Sequence, residues 1–111
     1  MSKTVLFSMT ALASAAVSAN RFVGLLTGAH CAAGAKPQGV SCYAAAVGEA
    51  FEVDVYGTRM VEAGDIIAPG AEVKSDATGR AIPRAGAGEI GGYAISGASA
   101  AGQLIEVLLR F

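Results

Sequence analysis

The chain has 111 residues, of which 24 are Ala and 15 are Gly, and only 15% are charged, against roughly 25% in an average soluble domain. A net charge of −1 excludes a dedicated nucleic-acid binder as the first expectation. Two Cys exclude a disulfide-stapled mini-protein, and the chain has no run of about 18 apolar residues that would predict a membrane-spanning helix.

In chain order, Thr4 to Met9 is β-prone and Ala11 to Ala19 is a small-residue stretch suited to a short helix or an irregular strand. Lys3 with the apolar stretch after it imitates a secretory signal, and Val17-Ser18-Ala19 imitates its cleavage box. Ser8, Thr10, Ser14 and Ser18 interrupt that stretch, so we expect it to be retained as an N-terminal arm (residues 1–20) ahead of a single domain (21–111). Arg21 to Leu26 predicts a buried strand ending at Thr27-Gly28. Gly34, Pro37 and Gly39 predict a loop before a strand over Val40 to Ala45, turned at Val47-Gly48. Ala50 to Tyr56 is the clearest strand, with Phe51, Val53 and Val55 on one face and Glu52 and Asp54 on a solvated face. Gly57-Thr58 breaks it before Arg59 to Val61 resume. Gly64-Asp65 and Pro69-Gly70 are turn signals. Glu72 to Lys74 and Arg80 to Ile82 flank a hairpin loop with Gly79 at a left-handed position. Gly86 to Gly92 is a second loop, and Leu104 to Phe111 is a strand with Ile105, Val107 and Leu109 on one face. Short strands separated by frequent turns predict an all-β fold, a small sandwich or barrel with an extended N-terminal arm.

Residues 39–53 and 92–107 echo one another. Each begins at Gly, runs through a small-residue strand to Ala-x-Gly followed by Glu49 or Gln103, and ends apolar-Glu-Val. Gly48 and Gly102 sit at the two corners, where a positive φ turns the backbone.

Motifs with chemical content are few. Gly86 to Gly91 satisfies G-x-G-x-x-G, but the dinucleotide site needs a strand before and a helix after, and this stretch reads as a loop. His30-Cys31 and Cys42 fall short of four metal ligands at a recognisable spacing, so the thiols read as small apolar groups. A Cys31–Cys42 bridge across a hairpin stays open. Glu49, Glu52, Asp54, Glu62 and Asp65 form an acidic run without a nearby His or Trp, so no acid–base catalyst, metal site or cofactor site is expected. Residues 1–48 carry Lys3, Arg21 and Lys36 and no acid. Such depletion of charge suits either a domain interior or an interface core.

The order of Asn20 to Gly24, Gly39-Val40, Gly48-Glu49, Val61 to Gly64, Ser75 to Ala81 and Ser99 to Val107 resembles the small capsid decoration, or cement, proteins of tailed bacteriophages. The resemblance spans about residues 10–109. It implies a β-rich structural virion protein, not an enzyme, bound to the capsid exterior. Its implied partners are the major capsid protein and copies of itself, in a homotrimer, without nucleic acid or membrane. The N-terminal arm lies outside the matched part. We expect it to contact neighbouring subunits through Lys3, Thr4, Val5, Leu6, Phe7 and Met9, with Phe22 as a further anchor, and we expect removal of residues 1–9 to leave the domain folded. The alternative is a receptor- or glycan-binding head appendage. A secreted bacterial β-protein, processed after Ala19, is a third reading.

Overall fold

The computed structural model describes residues 4–110, with side chains from Phe7 onward. Eight strands follow in order: β1 (Thr4–Leu12), β2 (Phe22–Gly24), β3 (Pro37–Ser41), β4 (Ala50–Glu62), β5 (Glu72–Ser75), β6 (Ala81–Pro83), β7 (Gly92–Ala94) and β8 (Leu104–Leu109). They form one antiparallel sheet in the order β2-β3-β4-β8-β7-β5-β6, with β1 added along β4, and the sheet curls into a nearly closed barrel. The described residues contain no helix.

The echo seen in the sequence is half of a larger one. Val17 bridges Ala45 as Ile67 bridges Ala98. The Ala13 N–H donates to Glu49 C=O at 2.9 Å and its carbonyl accepts from Gly48 at 2.8 Å; Ala63 makes the same two bonds with Gln103 and Gly102, both at 2.8 Å. Phe22 and Val23 pair with Val40 and Gly39 as Glu72 and Val73 pair with Tyr93 and Gly92. Leu12 pairs with Ala50 as Glu62 pairs with Leu104. Even the corner carboxylate and amide match: Glu49 Oε1 accepts from Ala46 N–H and Gln103 Oε1 from Ser99 N–H, each at 2.8 Å. The chain is thus two tandem copies of one β unit, which we call repeat one (residues 4–53) and repeat two (54–109).

Each repeat has its own core at matching positions. Ala13, Val17, Val23, Ala45, Phe51 and Val53 form one cluster. Ala63, Ile67, Val73, Ala98, Ile105 and Val107 belong to the other, which also takes in Phe22, Cys31 and Val40 from repeat one. Phe22 and Val23, adjacent on β2, therefore face different cores, as alternation along a strand requires.

β4 belongs to both repeats. Its first half pairs with β1 and β3 and its second half with β8. Gly57-Thr58 does not break the strand. It lies beside a register shift at Val55, and Gly57 takes φ 109°. This bulge changes which side chains face which core. Asp54 lies opposite Val40 and Arg59 opposite Val107, and both valines belong to the larger cluster, so residues five apart share a side of the sheet.

Three other expectations change. The strand expected over Arg21 to Leu26 is only Phe22–Gly24, because Leu25 and Leu26 leave it in an exposed turn. The stretch from Ala11 first extends β1 to Leu12 and then runs irregularly. Residues 4–12 are paired along β4 of the same chain, so deleting residues 1–9 would strip most of β1 from the sheet instead of clipping a free arm.

Candidate functional site

One buried polar cluster lies at the seam between the repeats. Asp54 was expected on a solvated face, yet it is 2% exposed. Its Oδ2 accepts from Arg59 Nε at 2.8 Å and its Oδ1 from Ser8 Oγ at 2.8 Å. The Arg59 guanidinium also donates to Asn20 Oδ1 at 2.8 Å and to the carbonyls of Ser41 and Cys42 at 3.2 and 3.3 Å. A buried charge pair of this kind is tolerated because its donors and acceptors are satisfied. Cys42, Glu52 and Asp54 bring a thiol and two carboxylates within 4.8 Å of one another. Arg59 already supplies Asp54 with the positive charge that a cation would bring.

The remaining chemistry-bearing residues have structural partners. Cys31 is buried, and burial pushes its thiol above the ordinary value; Cys31 and Cys42 are not joined in a disulfide. His30 Nε2 accepts the Ser18 N–H at 2.9 Å, which fixes a neutral tautomer. Burial, then the nearby Arg21 charge, lowers its pKa, partly opposed by Asp76. The Gly86 to Gly91 loop leads into β7, not into a helix, and Gly91 N–H donates to Val73 C=O at 2.8 Å. The corner glycines have the expected backbone: φ is 86° at Gly48, 80° at Gly79 and 92° at Gly102.

Of the expected contact residues, Lys3 lies outside the described residues, and Thr4, Val5 and Leu6 are placed as backbone of β1. Phe7 and Met9 are exposed. The Phe7 ring packs near Tyr56, with centroids 6.4 Å apart. Phe22 is a correction: it is fully buried and has no surface to offer a neighbour. Its N–H donates to Gly79 C=O at 2.7 Å, and its ring lies on Gly91, where an added Cβ would sit 2.6 Å from Cζ. It anchors repeat one to repeat two.

Sequence reasoning missed a groove. It is lined by Met9 to Leu12 of β1, Leu26 to Gly28 of the following turn and Gln38 of β3, and has a volume of about 270 Å³. No lining residue is charged. Leu26 on its rim is 87% exposed at φ 61°, an uncommon conformation for a bulky side chain. The missed signal was the pair Leu25-Leu26 immediately before Thr27-Gly28, which reads as the end of a buried strand.

The chain is an all-β domain of two repeats with an uncharged groove of mixed polar and apolar lining beside an edge strand. The sequence matches the phage cement protein family over residues 2–110, and the chain belongs to that family. No curated protein matches it. Among solved structures it is similar to the N base of the head fibre gp8.5 of bacteriophage phi29, with 26% identity, a TM-score of 0.76, and coverage of 94% of this chain and 93% of that one. This is a capsid-associated structural protein of the virion exterior.

Proposed function

We propose that the protein strengthens a mature phage shell by bridging adjacent major capsid subunits, and that it associates with copies of itself as a homotrimer on the shell. The observation that carries this reading is the β1 side of repeat one. There an edge strand, the exposed Phe7, Met9 and Leu12 and an uncharged groove lie together. Large apolar groups and main-chain hydrogen bonds at a strand edge dominate such contacts, and repetition over many lattice sites multiplies modest interfaces. Thr4, Val5 and Leu6 extend the same edge, with Lys3 next to it in sequence.

The test mixes purified protein with undecorated heads and reads copies bound per head, crosslinks to capsid subunits and the temperature at which shells open. The reading expects saturable binding, crosslinks from one copy to two capsid subunits and to another copy, and a higher opening temperature. Crosslinks to a single capsid subunit with an unchanged opening temperature overturn bridging, and absence of copy-to-copy crosslinks overturns the trimer. The likeness to a head-fibre base supports a second reading, a receptor- or glycan-binding appendage. That reading expects specific glycan binding without any gain in shell stability.

A further inference from the structure

The groove on repeat one has a counterpart on repeat two, and that counterpart is full. Val23 bridges His30 as Val73 pairs with Pro83. Ser14 N–H bonds Gly28 C=O as Gly64 N–H bonds Ala81 C=O. These matches set Leu26 against Gly79, and the strand registers set Leu12 against Glu62 and Gln38 against Gly91. In repeat two, Asn20-Arg21-Phe22 of repeat one lies in that place. Glu62 N–H donates to Asn20 C=O at 2.9 Å, Phe22 N–H donates to Gly79 C=O at 2.7 Å, and the Phe22 ring covers Gly91. The same scaffold thus already performs a docking reaction once within the chain.

We propose that the slot on repeat one receives an extended, uncharged segment of a major capsid subunit, in the manner of Asn20 to Phe22 on repeat two; this rests on the capsid-binding reading above. The segment's carbonyl accepts from Leu12 N–H, its amide donates to Leu26 C=O, and an aliphatic side chain seats among Met9, Leu12 and Leu26. The lining selects this chemistry. The filled slot carries Arg59 and Glu62 and takes Arg21, which bonds Glu62 at 3.3 Å. In the open slot, Met9 and Leu12 stand where those charges are. Gln38 spans the floor, its side chain meeting Met9 Sδ at 3.8 Å and Leu26 N–H at 3.3 Å, where Gly91 lies under the Phe22 ring in the filled slot. A second copy of this chain is a poor occupant. Its matching segment is Gly70-Ala71-Glu72, and Glu72 is charged and paired with Arg84 at 3.0 Å. Leu26 fits the rim role as well: a large apolar side chain is held exposed in a strained conformation, and such strain concentrates at functional sites.

The test uses the full chain with Leu26→Asp, Ile66→Asp and a photo-crosslinking amino acid in place of Leu26. Asp accepts a positive φ better than Leu, so Leu26→Asp should melt at or above the wild-type temperature. Binding of wild type to undecorated heads reads the broader function. If wild type does not bind, that reading fails first. If wild type binds, the slot proposal expects Leu26→Asp to bind about tenfold more weakly or worse. It also expects Ile66→Asp, an exposed apolar site on repeat two, to bind within about twofold of wild type, and the crosslinker to capture a capsid subunit. Unchanged binding by Leu26→Asp, equal loss in both variants, or capture of a second copy overturns it.

Discussion

Repeat one and repeat two share a backbone and differ in almost everything the backbone does not need. Repeat one has four charged residues, Arg21, Lys36, Glu49 and Glu52, while repeat two has eleven of the chain's 17. What they have in common is short: six matched core positions, a positive-φ glycine at Gly48 and Gly102, and a Glu or Gln that ties its own corner. A small set of apolar positions and one turn geometry therefore specify this unit. Its outer surface is left free, apolar on one copy and laced with ion pairs on the other.

The comparison can be broken most forcefully at the seam. Arg59 occupies the place that Met9 holds in repeat one, so Arg59→Met makes the repeats more alike. It also strands Asp54, and stability should fall by about 3–5 kcal/mol in urea unfolding. Adding Asp54→Leu, which copies Leu108 at the matching position, should restore most of that loss. If the single variant loses less than about 1 kcal/mol, the pair is not a buried one. A smaller asymmetry lies at the slot floors. Gly91→Ala pushes against the Phe22 ring and should cost about 1–3 kcal/mol. Its counterpart Gln38→Ala, in the open slot, should stay within about 0.5 kcal/mol of wild type. Equal losses would mean the two slots are not equivalent in construction.

The corners sharpen the likeness instead. Gly48 and Gly102 have positive φ and open space around the missing Cβ, so Gly48→Ala and Gly102→Ala should each cost about 1 kcal/mol, and by similar amounts. The smallest effect is pH-dependent and confined to repeat one, because Pro83 stands where His30 does. The folded pKa of His30 is lowered below 6.5, so the unfolded chain takes up the proton first. Its contribution is complete above about pH 6.5 and is lost as pH falls from there through the lowered folded value. Melting curves between neutral and acidic pH should show a shallow slope that His30→Gln reduces.

The all-β class, the strand leading into Val53, the 72–82 hairpin and the final strand were legible because alternation and glycine spacing mark them directly. Half of the duplication was legible for a related reason: residues 39–53 and 92–107 keep the Ala-x-Gly-Glu/Gln corner. The other half was not. Its matched positions hold Ala13 and Val17 against Ala63 and Ile67, joined to strands as short as Phe22–Gly24, and the turn from Ser75 to Gly79 holds three extra residues. Asp54 misled because alternation assigns it to solvent; a guanidinium reaching back from beyond a bulge covers it, and no local pattern records that. The open slot was hidden for the same kind of reason. It exists because repeat two is filled by a segment of repeat one, a relation between distant parts of the chain.

β4 has a mechanical consequence. Because one continuous 13-residue strand serves as the last strand of one unit and the first of the next, a pull applied between the two ends of the molecule travels along covalent backbone. It does not first meet a seam that could peel open bond by bond. If the protein bridges capsid subunits as proposed, a shell under internal pressure gains from that arrangement, because load passes from one grip to the other through a single continuous strand.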